Sequence, residues 1–208
     1  MNTSRAYFAD IADQWDSLRS GYFTTAMRDA VVRRANIAPQ AVVADVGTGT
    51  GFMLQGLLDS AETLVGFDES SEMLAVATKN LAGQDKVTFQ VTDGRHLPAP
   101  DASFDAVFAN MFLHHTADPH TAVQEMARIL KTGGKLIITD LDRHNQAWMR
   151  ETMADRWLGF DREDIRHWYQ EAGLTAIDID YADGTCRCAG ADEQDIALSI
   201  FVAIGRKH

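Results

Sequence analysis

Three glycines at alternate positions, Gly47, Gly49 and Gly51, inside the stretch AVVADVGTGTGF (41–52) constrain this chain more than any other feature. Residues 41–44 form a short apolar, β-branched run of the kind that makes a strand buried on both faces, and Asp45 then puts a carboxylate at or near that strand's carboxyl end. Glycines this close together make poor helix and poor strand. Their use is a turn with positive φ, or a turn that a ligand approaches within contact distance. In open α/β sheets ligands bind beside the carboxyl ends of strands, where strand order reverses. The spacing narrows the ligand. A dinucleotide fingerprint needs its third glycine at position 52, which is Phe52, and a phosphate-binding loop needs a Gly-Lys-Ser/Thr ending that is absent. A carboxylate just ahead of the glycines is a poor neighbour for a pyrophosphate and a good one for an ammonium or sulfonium group. About 20 residues on, LVGFD (64–68) is a second strand ending in an acid, Asp68, which can accept both hydroxyls of a ribose.

Strand and helix patterns alternate downstream, which predicts an α/β fold with a parallel sheet. Ser71 can cap a helix carrying Met73, Leu74, Ala77 and Leu81. Residues 87–91 read as a third strand closing in Thr92-Asp93-Gly94, and 104–110 as a fourth. Asp118-Pro119 is a cap and first-turn proline for a helix with Ala122, Val123, Met126, Ile129 and Leu130 on its apolar face. Gly133-Gly134 should end that helix, with a fifth strand over 135–139. Asp161 should cap a helix over 162–172, and 175–181 and 196–204 suit the last two strands. Ahead of the glycines, Tyr7, Phe8, Ile11, Trp15 and Leu18 recur at helical spacing and predict a helix over 4–18 whose polar face carries Asp10, Asp13 and Asp16. A second helix over 23–35 turns Phe23, Met27, Ala30 and Val31 inward.

With 208 residues, 46% of them hydrophobic, and no Pro/Gly/Ser-rich linker, the chain reads as one domain: a helical cap over 1–38, a ligand-binding core over 39–142, and a lid, helix and terminal hairpin over 143–208. A net charge of −11 argues against nucleic acid or an anionic membrane as partner and for a small molecule. No apolar run reaches the length of a membrane span, and residues 1–5 lead into an amphipathic pattern rather than a signal-peptide core, so the cytoplasm is the expected compartment. Cys186 and Cys188 are too few and too close to make a disulfide framework.

The Asp-x-Gly-x-Gly-x-Gly turn with Asp68 resembles the nucleotide half of the class I S-adenosylmethionine-dependent methyltransferases. YFADIADQWD (7–16) and FANMFLHHTADPHTAVQEMARILKTGGKLIITD (108–140) resemble the small-molecule enzymes of the ubiquinone/menaquinone biosynthesis type. The resemblance implies a Rossmann-like, doubly wound seven-stranded sheet, mostly parallel with an antiparallel last strand and helices on both faces. It implies S-adenosylmethionine as cofactor, held by Asp45, Gly47, Thr48, Gly49, Gly51, Asp68, Glu69, Met73, Asp93, Gly94 and Asn110, with Asp93 matching the acid that contacts the adenine amino group. The amino-terminal helix should lie over the cofactor and substrate mouth, and Tyr7, Trp15, Met111 and Trp157 are the expected acceptor contacts. The Asn/Asp-Pro-Pro-Tyr/Phe motif of enzymes acting on bases or protein amides is absent after the fourth strand, in keeping with a small-molecule acceptor.

Methyl transfer from a sulfonium releases a neutral thioether, so the rate should come mainly from alignment and exclusion of water. His114 and His115 are the imidazoles beside the expected methyl position and the expected catalytic pair, as proton acceptors where the nucleophile must lose a proton. The segment 144–160 is rich in large side chains for a connector and reads as a substrate-side lid. No resident metal is expected. Thiols at Cys186 and Cys188 would share one face of an extended segment, which leaves arsenite or another thiophilic species as an alternative acceptor class. A non-catalytic cofactor-binding protein on the same fold is the competing reading.

Overall fold

A computed structural model describes residues 4–92, 95–189 and 195–208 of the chain. Helices α1 (Ser4–Ile11) and α2 (Trp15–Arg19), joined by a 3₁₀ turn at Ala12–Gln14, and α3 (Thr25–Ala35) precede the sheet. The core then runs β1 (Val42–Val46), α4 (Phe52–Leu57), β2 (Thr63–Asp68), α5 (Ser71–Asn80), β3 (Val87–Val91), β4 (Phe104–Asn110), α6 (Pro119–Ile129) and β5 (Leu130–Leu141). After α7 (Met149–Thr152) and α8 (Arg162–Glu171) come β6 (Leu174–Ala189) and β7 (Asp195–Lys207). The seven strands lie in the order β3-β2-β1-β4-β5-β7-β6. The first five run parallel, and β7 is inserted antiparallel between β5 and β6, as expected. Strand order reverses between β1 and β4, and that is where the glycine turn emerges. Among the described residues no helix is long and apolar enough to cross a membrane.

The central strands read as continuous apolar runs because each feeds two cores in alternation. Val43, Ala106, Phe108 and Ile137 pack with α3 and α4 residues on one face. Ala44, Val107, Ala109, Leu136 and Ile138 pack with α6 and α8 residues on the other.

Four local expectations are corrected. The cap of α5 is Ser70, whose hydroxyl accepts from Met73 N at 3.1 Å, and Ser71 is the first helical residue. Helix α6 stops at Ile129, ahead of the glycine pair, because Leu130 is already extended and pairs with Phe104. Gly133 (φ +81°) and Gly134 then sit inside β5 where the register shifts, and a Cβ on Gly134 would lie 2.8 Å from Lys131 O. Asp161 holds the N-cap position of α8 as expected, but its carboxylate makes no capping bond and pairs with Arg143 Nε at 2.8 Å. Leu18 is 41% exposed rather than inward, while Asp16 of the presumed polar face is tied down to the core.

The segment 143–160 folds back along the end of β5. Phe160 N donates to Leu141 O at 2.9 Å, Arg143 N to Phe160 O at 3.0 Å and His144 N to Leu158 O at 3.0 Å. Arg162 grips Asp142 through both carboxylate oxygens, at 2.7 and 2.8 Å. Gly159 makes this approach feasible: its φ is +69°, and a Cβ there would lie 2.6 Å from Asp142 C and 2.8 Å from Leu141 O. Backbone cannot give way as a side-chain tip can. Gly159→Ala should therefore cost more than about 1 kcal/mol of folding stability, read as a lowered midpoint in urea denaturation.

Candidate functional site

The turn after β1 is built by backbone pairing to the end of β2. Gly47 N and Thr48 N both donate to Phe67 O, at 2.8 and 3.0 Å, and Gly49 N donates to Asp68 Oδ2 at 2.8 Å. All three glycines adopt positive φ, +72°, +53° and +85° in order. Their side-chain-free positions serve different ends. A Cβ on Gly47 would strike the Phe112 ring, and one on Gly51 would lie 2.7 Å from Leu81 Cδ1, whereas one on Gly49 meets nothing closer than Trp15 Nε1 at 3.8 Å. Gly49 thus borders open space, and Gly51 is required by the packing of the α4 start against α5.

Two acids, one buried and one partly buried, flank this turn. Asp45 is 1% exposed, accepts from Thr48 Oγ1 at 2.7 Å through Oδ2, and has no partner for Oδ1. Burial pushes its carboxyl up to about 7, against the Thr48 hydrogen bond. Asp68 takes Ser70 N on Oδ1 at 2.9 Å and Gly49 N on Oδ2, yet burial still raises it to about 6.

One cavity of about 340 Å³ joins this turn to the ends of β4 and β5. It is within the size range of small-molecule sites. Of the residues expected at a site, Tyr7, Trp15, Asp45, Gly47, Thr48, Gly49, Asp68, Glu69, Met73, Asn110, Met111, His114 and His115 line it. Gly51 and Trp157 do not. Trp157 is 42% exposed, stacks near Phe160 and donates from Nε1 to Thr116 O at 3.0 Å, which anchors the lid rather than facing the cavity. Asp93 and Gly94 lie outside the described residues.

The amino-terminal segment lines the cavity through Ser4, Tyr7, Phe8, Trp15 and Arg19. Asp16 accepts from Thr50 Oγ1 at 2.6 Å and from Asn80 Nδ2 at 2.9 Å, so α2 is latched to the glycine turn and to α5. Phe8 meets Trp15 and His115 edge to face, at 5.2 and 4.8 Å between ring centres. Arg19 lies 3.5 Å over the Phe52 ring, the position a third glycine would have to take in a dinucleotide site.

The far wall is the 3₁₀ turn Leu113–His115. It is reached through Met111, held at φ +52° by a bond from its N to Thr139 O at 2.8 Å. Asp140, fully buried at the end of β5, organises the turn: Oδ2 takes Leu113 N at 2.9 Å, and Oδ1 takes Leu141 N at 2.7 Å and pairs with His114 Nδ1 at 2.6 Å. Burial pulls the His114 imidazole down, but Asp140 and then Asp155 outweigh it and raise the group to about 8. His115 is driven well below its ordinary value, by burial and then by His114.

Two cavity residues, Asp155 and Arg156, had no signal in the sequence. They arrive from the segment 144–160 with Met149 and Met153, and Cys186, one of the two expected thiols and buried in β6, arrives from the hairpin. Asp155 is 4% exposed, sits among His114 and His115, and leaves Oδ2 without a partner. The Cys188 side chain lies outside the described part of the structure, although its backbone pairs with Ile196.

Comparison with known proteins agrees with this geometry. Residues 44–138 match the family model described as a methyltransferase domain. The chain is 33% identical over 140 residues to the demethylmenaquinone methyltransferase of Clavibacter sepedonicus, covering 65% of this chain and 56% of that protein. It is 29% identical over 166 residues to 2-methyl-6-phytyl-1,4-hydroquinone methyltransferase 1, chloroplastic, of Oryza sativa subsp. japonica, covering 78% and 50%. The chain thus spans about half the length of these curated relatives. In fold it matches a Haloferax volcanii chain solved in complex with the Trm112 methyltransferase activator, with a TM-score of 0.80 at 23% identity over 97% of this chain and 98% of that one. From the middle of β1 to its fifth strand, the chain is similar to the methyltransferase-domain family.

Proposed function

We propose that this protein transfers the methyl group of S-adenosylmethionine to a nucleophilic atom of a small, largely apolar acceptor of the hydroquinone or phenol kind. The observation that carries the reading is the single cavity with two chemically different ends. At one end the unpaired oxygen of Asp45 suits the cationic amino-acid part of the cofactor. Gly47, Thr48 and Gly49 give it close backbone approach, and Asp68 suits the ribose hydroxyls, with Glu69, Met73 and Asn110 completing the wall and Asp93 and Gly94 the adenine side. At the other end Tyr7, Phe8, Trp15, Met111, Phe112, Met149 and Met153 offer an apolar chamber into which His114 and His115 bring the polar groups. The names of the two relatives above, both acting on quinone-type molecules, point the same way.

In the reaction the acceptor's lone pair forms a bond to the methyl carbon as the sulfur–methyl bond breaks. The electron pair stays on sulfur as a thioether, and the acceptor's proton leaves to the protein or to water. The two lids hold the reactants in line and keep bulk water out, which supplies most of the acceleration. His114 and His115 act on the proton-bearing atom of the acceptor.

The direct test incubates the protein with methyl-labelled S-adenosylmethionine and a panel of short-chain hydroquinones, naphthols and simple thiols. Equal yields of S-adenosylhomocysteine and methylated product are expected. Cofactor binding without turnover on any member would instead favour a binding protein, and preferential binding of NAD would reject the cofactor.

Two further outcomes follow from the acids. Asp68→Ala should weaken S-adenosylmethionine binding by roughly 1.5 to 3 kcal/mol in calorimetry, the worth of hydrogen bonds to a charged acceptor. Asp45, at about 7 in the free protein, is partly protonated near neutrality, and a cationic ligand selects the ionised form. Affinity should therefore rise with pH between about 5.5 and about 8, approaching about tenfold per pH unit on the acid side, where binding expels the proton. Asp68, at about 6, adds to the slope at its lower end. In Asp45→Asn the Asp45 contribution should vanish, leaving the shallower slope of Asp68.

A further inference from the structure

His114, His115 and Asp155 converge on one point of the cavity wall without bonding to one another. The His114 Nδ1 position is settled by its partner: Asp140 accepts at 2.6 Å, so Nδ1 carries the hydrogen, and in the neutral imidazole Nε2 presents the lone pair. Nε2 faces Asp155 Oδ1 at 3.9 Å, and His115 Nδ1 lies 3.8 Å from the same oxygen and 3.4 Å from Ala154 O, a backbone contact that Nδ1 gives up to act as a ligand. One donor atom from each residue lies within 4.8 Å of the other two. These separations are too long for hydrogen bonds. Donors about 2.0 to 2.1 Å from a tetrahedral metal stand about 3.4 Å apart, so a cation would draw each histidine about half an ångström toward Asp155 and close the histidine pair by up to about 1.4 Å.

We propose that His114, His115 and Asp155 bind a divalent cation of the zinc class, leaving one coordination position open toward the acceptor chamber. The support beyond proximity is threefold. Asp140 behind His114 forms the carboxylate–histidine arrangement that fixes the tautomer and orientation of a metal-binding imidazole. Asp155 Oδ2 is buried without a hydrogen-bond partner, so the cluster keeps an oxygen that its own histidines do not engage. The segment carrying Asp155 is braced to the histidine turn, with Arg156 N and Trp157 N both donating to His114 O at 2.9 and 3.1 Å. Two imidazoles, one carboxylate and an open position is a donor set of reactive rather than structural metal sites.

Binding of the cation stands on this geometry alone. Its chemical use rests on the methyl-transfer reading: an acceptor oxygen or sulfur in the open position would lose its proton to water at lower pH and meet the methyl group as the anion.

The test uses the full chain stripped with a chelator and titrated with Zn²⁺ by calorimetry and with Co²⁺ by visible absorption, with no cofactor or acceptor present. One equivalent with sub-micromolar affinity is expected, together with the intense Co²⁺ bands of a four- or five-coordinate site. Asp155→Asn and His115→Gln, checked for folding by circular dichroism, should each lose more than about 100-fold in affinity. Asp140→Asn, which touches no metal, should lose about 10- to 100-fold. Absence of binding to the folded parent, or equal binding by parent and Asp155→Asn, overturns the site and leaves a proton on His114 to fill the gap. S-adenosylmethionine affinity and turnover measured on the same samples separate the two ideas: methyl transfer that survives loss of the metal rejects its catalytic use alone, and metal binding without any transfer rejects the methyl-transfer reading alone.

Discussion

Phe67 O, at the end of β2, accepts from both Gly47 N and Thr48 N, and the carboxylate one residue later accepts from Gly49 N. Everything at the site depends on this hooking of the glycine turn over the neighbouring strand. It bends the chain sharply at the point where strand order reverses, and it forces the positive φ values that only glycine takes without strain. It also brings Asp45 and Asp68 to the same rim. Shifting the turn by one residue would put a side chain into Phe112 or Leu81 and close the space that Gly49 leaves open.

Acids stand near three of the parallel strand ends around the cavity. Asp45 lies near the end of β1, Asp68 ends β2 and Asp140 lies near the end of β5; Asp45 and Asp140 are buried and Asp68 is partly buried. Burying carboxylates costs stability unless each finds donors or a cation. Asp140 is answered by two backbone N–H groups and the His114 imidazole, and Asp68 by two backbone N–H groups. Asp45 and Asp155 are answered only in part. Both incompletely satisfied acids line the cavity, Asp45 beside the glycine turn and Asp155 beside the histidine turn.

Two segments from opposite ends of the chain line the cavity. The amino-terminal helices are latched through Asp16 to the glycine turn itself, so opening the roof breaks bonds to Thr50 and Asn80 and withdraws Phe8 from His115. The segment 143–160 is zipped to β5 and braced to the histidine turn, and its Met149 and Met153 supply flexible apolar wall. The roof and the wall therefore meet at His115, which joins cofactor access to the geometry of the acceptor end.

The sequence by itself determined the parallel core, the glycine turn, the acids at the first two strand ends and the histidine pair. Each is local: alternation in the strands, glycine where φ must be positive, Asp118 and Pro119 where a helix must start. Only the tertiary structure decided the rest. Gly133-Gly134 reads locally as a helix stop but lies within a strand, because Leu130 already pairs with Phe104. Trp157 reads as a binding aromatic but anchors a lid, and Asp16 reads as a solvated face but latches a roof. Asp155 has no motif around it, and it becomes the third member of the histidine cluster only because the lid folds back along β5 through Gly159 and Phe160. Periodicity records which face of an element is buried. It carries no record of which distant backbone that face will meet, and that meeting is what sets the charge and chemistry of the cavity.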